Sequence, residues 1–133
     1  MPVAYMGKVR MAMKLYFYIL DSDREFNPET RTFGGAVFKV RVEECEVIEK
    51  PKTYRAVTQF PERLYIGYVK KENIGKISGS PTPYIVLEKP NYQFAKETFL
   101  EKYNNDIRRF KNRIAMYENK IAAIENYKED AKC

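Results

Sequence analysis

The side chains that offer chemistry in this chain are rings and cations set side by side. Tyr54, Arg55, Arg63, Tyr65 and Lys70 interleave aromatic and basic groups, with Tyr68 between them and Tyr16 and Tyr18 on an earlier segment. Aromatic faces beside cations are how proteins stack bases and hold phosphates. Tyrosines on strands also serve as core and cross-strand pair residues, and both readings stand at this level. A second basic group, Arg108, Arg109, Lys111 and Arg113, falls on a helical stretch. There it suits an anionic ligand, or the solvated face and interhelical pairing that charged helices more commonly show.

Catalytic chemistry finds little to work with. The chain has no histidine, so the commonest general base and metal ligand is missing, and Ser-His-Asp or Cys-His catalysis is excluded. Two cysteines without histidine do not make a zinc site. Gly75-Lys76-Ile77-Ser78 has the look of a phosphate-loop ending, but Lys70 stands where the first glycine belongs and Ile77 where the hydroxyl belongs. Asp21, Asp23, Glu25, Asn27 and Glu29 alternate like calcium-loop ligands, yet Phe26 replaces the turn glycine and Thr32 the bidentate glutamate. The carboxylates Glu43, Glu44, Glu46 and Glu49 sit among lysines and arginines, where cross-strand ion pairing is their expected use. The expectation is a protein that is not an enzyme and has no metal or cofactor.

Positioning elements can be read from periodicity. In 133 residues there is room for one domain, expected to span 1–133. Residues 14–20 are apolar on both faces, which predicts a central strand. Residues 21–35 are polar, with Pro28 and Gly34-Gly35, and predict a loop. Strands are expected at 36–49, 53–59, 63–71 and 83–88. The apolar phase switches from Phe38, Val40 and Val42 to Cys45 and Val47 across Glu43-Glu44, which predicts a bulge. From Asn91 the period lengthens, and no proline or glycine follows. The expected fold class is α+β: an antiparallel β meander or small open barrel over 14–88, then a long C-terminal amphipathic helix over 91–129. Asn104-Asn105 is its expected bend.

On that helix Leu100, Ile107, Ile114 and Ile121 take the a positions of a heptad, and Tyr103, Phe110, Tyr117 and Ile124 take the d positions. The g and e residues Asp106 and Lys111, Arg113 and Glu118, Lys120 and Glu125 are opposite in sign, as a parallel homomeric coil requires. Aromatics at three of the four d positions fit poorly in a tight parallel dimer, where leucine packs best, and equally suit a helix laid on a sheet. The expectation divides the work. Phe94, Phe99 and Tyr103 cover the sheet, and Ile107, Phe110, Ile114, Tyr117, Ile121 and Ile124 form a self-association stripe, making a homo-oligomer.

Composition sets the partner class and the compartment. The net charge is +6, from 24 basic against 18 acidic residues, which favours anionic partners and argues against a DNA mimic. Cys45 and Cys133 are too few for a disulfide framework, so a reducing compartment is expected, with Cys133 an exposed thiol. Residues 12–20 contain Lys14 and lack a cleavage site, so no secretory signal is expected, and no stretch reaches membrane-span length. Met13-Lys14 reads as a natural start, which makes residues 1–12 an expected dispensable extension.

Three segments carry a family resemblance. Glu46-Val47-Ile48-Glu49-Lys50-Pro51-Lys52-Thr53-Tyr54, then Val69-Lys70-Lys71-Glu72-Asn73-Ile74-Gly75-Lys76-Ile77, then the Lys/Glu/Asn/Ile-rich terminal helix resemble small accessory proteins of phages and mobile elements of Gram-positive bacteria. That resemblance implies residence in the bacterial host cytoplasm and an anti-defence role, by inhibiting a host immune effector or by sequestering an anionic nucleotide signal. A nucleic-acid-binding accessory protein and a structural phage component are the alternatives.

Overall fold

The computed structural model describes residues 13–79 and 81–129. The expectations for residues 1–12 and for Cys133 lie outside the described residues. The chain divides into two compact units, one ending at Lys96 and the other beginning at Glu97.

The first unit is a curled, antiparallel, six-stranded half-barrel sheet. Its strands are β1 (Met13–Asn27), β2 (Thr32–Glu49), β3 (Thr53–Ala56), β4 (Val69–Lys70), β5 (Ile77–Ser78) and β6 (Tyr84–Leu87), in the order β4-β3-β2-β1-β6-β5. The long helix α1 spans Tyr92–Asn126, and its first turn belongs to this unit. The fold is therefore the α+β class read from the sequence.

β1 is central because both of its faces are covered, which is why residues 14–20 show no polar alternation. Leu15, Phe17 and Ile19 are fully buried in one cluster with Cys45, Val47, Tyr54, Val69, Tyr84 and Val86. Leu64 enters that cluster from the 57–68 loop, with Phe60 and Ile66 packed against it. On the opposite face Tyr18, Ile85 and Leu87 are buried too. There the helix begins: the Asn91 N–H donates to the Tyr18 hydroxyl at 2.8 Å, and the Tyr18 and Tyr92 rings lie 6.2 Å apart. Asn91 caps α1, its Oδ1 accepting the Phe94 N–H at 3.0 Å.

Several local expectations need correction. The segment 21–35 is not a loop but the far half of a hairpin, with Asp21↔Lys39 and Ser22↔Phe38 still in register. Beyond Ile19 β1 no longer pairs with β6, so this two-stranded ribbon meets water on both faces and its sequence is as polar as a loop's. Its turn is made by Asn27, whose Oδ1 accepts the Glu29 N–H at 2.9 Å. The bulge expected at Glu43-Glu44 is absent: the β1–β2 register runs unbroken from Met13↔Val47 to Arg24↔Ala36, and the shift falls between Arg24 and Phe26. The phase switch reflects a change of side, not of backbone. Phe38, Val40 and Val42 lie exposed on one face, whereas Cys45 and Val47 enter the core from the other. The strand expected over 63–71 is reduced to Val69–Lys70, and 53–59 to Thr53–Ala56. Pro61 and two left-handed residues between them break the pairing. Gly79, at φ +89°, turns the chain after β5, where an added Cβ would meet the Thr82 carbonyl oxygen at 2.3 Å.

The second unit is the helix from Glu97 onward. α1 is helical without interruption through Asn104 and Asn105, and at 35 residues it is about 52 Å long. Among the described residues no helix is long and apolar enough to cross a membrane.

Candidate anion-binding cleft

The β2–β3 turn, β3 and β4 bring a set of cations together. The turn is closed by the Lys50 N–H on the Thr53 carbonyl at 2.8 Å, and tied to the neighbouring segment by the Lys71 N–H on the Lys52 carbonyl at 3.0 Å. Thr53 stands opposite Lys70 across the β3–β4 ladder. Strand alternation then puts Thr53, Arg55 and Lys70 on the outer face and Tyr54 and Val69 in the core. A cleft of about 640 Å³ results, lined by Lys52, Arg55, Lys70 and Lys71 with Tyr68 as its ring and Glu72 as its one carboxylate.

The ring and cations are arranged with some precision. The Arg55 guanidinium lies 5.2 Å from the centre of the Tyr68 ring and its Nη1 donates to the Gly67 carbonyl at 3.4 Å. Lys71 is paired with Glu49 and lies over the Tyr54 ring, so part of its charge is already answered. Among the described residues Lys52 and Lys70 form no ion pair.

A second depression of about 410 Å³ adjoins the first, with Arg55 on both walls and Arg63 and Tyr65 on its far side. Arg63 and Tyr65 have φ of 73° and 53°, the left-handed region that ordinary side chains avoid. Two such residues cost on the order of 1 kcal/mol each. Leu64 between them is buried, and burying a leucine returns about 1.5–3 kcal/mol. Arg41 adds a pin: it pairs with Asp21 and Glu43, and its Nη2 donates to the Glu62 carbonyl at 3.1 Å. The loop is held so that Leu64 points in and Tyr65 stands out, 93% exposed.

The structure thus gathers Arg55, Arg63, Tyr65 and Lys70 around adjoining hollows and removes Tyr54. Tyr54 is 2% exposed, and its hydroxyl donates to Glu88, so it is a core residue on the wrong face for a ligand. Lys52, Tyr68 and Lys71 complete the cleft; they become neighbours only once β2, β3 and β4 are paired in register. Cys45 offers no nucleophile, since burial pushes its thiol upward and its Sγ–H donates to the Gln59 carbonyl at 3.4 Å.

The helical basic group is differently engaged. Arg108 donates to Asn105 and Arg109 to Asp106, while Lys102 pairs with Asp106 at 3.2 Å. Hydrogen bonds first from Arg109, then from Lys102, hold the Asp106 carboxyl below its usual range. Lys111 and Arg113 lie further along the same helix, Arg113 over the Phe110 ring. Among the described residues no three His, Cys, Asp or Glu side chains cluster as a metal site would need.

Tyr54 sets an alkaline limit on the fold that positions the cleft. Burial, and then the hydrogen bond to Glu88, push its hydroxyl well above the ordinary tyrosine range, and burial acts on Tyr84 in the same direction. The unfolded chain releases these protons near pH 10. A raised folded value therefore leaves stability intact below about pH 10 and removes it as pH climbs toward the folded value. The expected result is a urea midpoint that begins to fall at about pH 8.5–9, where the unfolded Cys45 thiol ionises. It falls more steeply beyond about pH 10, and this second fall is shallower in Tyr54→Phe. Equal alkaline slopes in both proteins would contradict this assignment.

No protein-family model, curated protein or solved structure matches this chain.

Proposed function

We propose that this chain is a non-enzymatic binding protein that takes an anionic nucleotide in the cleft between the β2–β3 turn and β4. Phosphate oxygens meet Lys52 and Lys70, and the base lies on the Arg55–Tyr68 stack. The observation that carries this reading is the convergence of four basic side chains and a stacked ring on one hollow. The resemblance to phage accessory proteins supplies the setting, which is sequestration of a nucleotide signal in the cytoplasm of a bacterial host, as an anti-defence measure.

Titration calorimetry tests it, with ATP, a cyclic dinucleotide and a single-stranded oligonucleotide run at 50 and 200 mM salt. At least one nucleotide is expected to bind below about 100 µM, to be recovered unchanged, and to lose only a few-fold with salt. A pocket engaging a few charges releases few counterions. Binding confined to the oligonucleotide, falling by about three orders of magnitude over the same range, would favour the nucleic-acid accessory role instead. Absence of binding by every probe would leave a protein effector as the target.

A further inference from the structure

The second unit carries an interaction surface of its own, independent of the cleft. Along α1 the residues Ile107, Phe110, Ile114, Tyr117, Ile121 and Ile124 are each between 49% and 74% exposed. They form one seam at alternating spacings of three and four, and an apolar seam of that length is rarely left to water. We propose that a second copy of this chain covers it, as a parallel, in-register two-stranded coiled coil beginning near Leu100.

Charge complementarity selects this occupant. In a parallel pair each g residue meets the e residue five positions on in the other helix. Arg113 then faces Glu118 of the other copy and Lys120 faces Glu125, each pairing repeated by symmetry. Among the described residues none of these four side chains forms an ion pair within its own chain. Arg113 lies 5.9 Å from the centre of the Phe110 ring and Lys120 lies 5.5 Å from that of Tyr117. Both cations therefore run along the edge of the seam, where a second helix would meet them. Asp106 and Lys111 form the weakest pair, because Asp106 is already held by Lys102 and Arg109.

An antiparallel pair with Ile114 of one helix beside Tyr117 of the other sets Lys111 against Glu118 but Arg113 against Lys120, like against like. All three pairings of the parallel arrangement are opposite in sign. The a positions Ile107, Ile114 and Ile121 are β-branched, as in two-stranded parallel coils, while the Leu that accompanies them at d there is replaced here by Tyr103, Phe110, Tyr117 and Ile124. The d-position rings widen the seam, and their edges are flanked by the cation stems of Arg113 and Lys120, which lie over them.

The test is light-scattering mass of the full chain on a size-exclusion column, at loads up to about 100 µM. The wild type is expected at twice the chain mass. Ile114→Lys should raise the dissociation constant by about a hundredfold or more, with an unchanged circular dichroism spectrum because the site is exposed in the single chain. Arg113→Glu and Glu118→Lys should each weaken the dimer about tenfold, and the double variant should restore it to within a few-fold. A monomeric wild type overturns the proposal, as does a dimer indifferent to Ile114→Lys. A dimer tightened by Arg113→Glu overturns the parallel arrangement.

Discussion

Phe17→Ala is expected to lower the unfolding free energy by about 3–5 kcal/mol. Phe17 is fully buried on the central strand, with its ring centre 5.9 Å from that of Phe60 and 6.0 Å from that of Tyr84. Truncation removes contacts to both, and β1 cannot shift to close the gap because it is hydrogen-bonded to β2 on one side and β6 on the other. A small domain has a total stability of about 5–15 kcal/mol, so the variant sits near the edge of folding. The damage also reaches the 57–68 loop. Phe60 belongs to the loop that presents Arg63 and Tyr65, and without Phe17 its ring loses a partner, leaving Leu64 and Ile66 as the loop's intact apolar anchors. Urea denaturation checks this: the midpoint should drop with little change in slope, and Phe17→Leu should recover more than half of the loss. A drop below about 1 kcal/mol would place the centre of the core elsewhere.

What could be read from the sequence follows from where pattern and environment agree. Residues 14–20 announced a strand covered on both sides, and they are covered by the 57–68 loop on one face and by the helix start on the other. Asn91 after Pro90 announced the start of α1 to within one residue, while the lack of a later glycine or proline left its end, expected at 129, three residues beyond Asn126. The hairpin at 21–35 was hidden because a ribbon wetted on both faces has no apolar alternation to show. Arg63 and Tyr65 were read as strand residues because alternation about Leu64 is correct in direction. The left-handed backbone that produces it leaves no mark on composition. At the cleft, Arg55 and Lys70 stood out by type. Lys52 and Lys71 did not, since their proximity depends on the Thr53↔Lys70 register, which no local pattern encodes. Tyr54 and Tyr68 look alike in sequence, and one position of strand phase sends the first to the core and leaves the second at the surface.

Reversing two charges in the cleft, Arg55→Glu with Lys70→Glu, should abolish nucleotide binding while leaving the fold intact. Both residues are exposed on the outer face of β3 and β4, and surface substitutions there cost little beyond the Arg55–Tyr68 contact, about 0.5–1 kcal/mol. Affinity behaves differently. A hydrogen bond from Lys70 to a phosphate is worth about 1.5–3 kcal/mol, and the Arg55 face under the base about 0.5–2 kcal/mol. Losing both reduces affinity by about 30-fold or more, before the repulsion of the new carboxylates is added. Calorimetry with the nucleotide that binds the wild type would measure this, with Arg108→Glu and Arg109→Glu on α1 as the comparison pair. Loss in the helix pair and retention in the cleft pair would move the site to the helix. Tyr68→Ala separates the roles of ring and charge. Stacking on an aromatic side chain is worth about 1–3 kcal/mol per base, so this variant should lose roughly five- to 150-fold for the nucleotide and almost nothing for inorganic triphosphate. Equal losses for both probes would mean that Tyr68 only shapes the cleft, and that the phosphates alone are recognised.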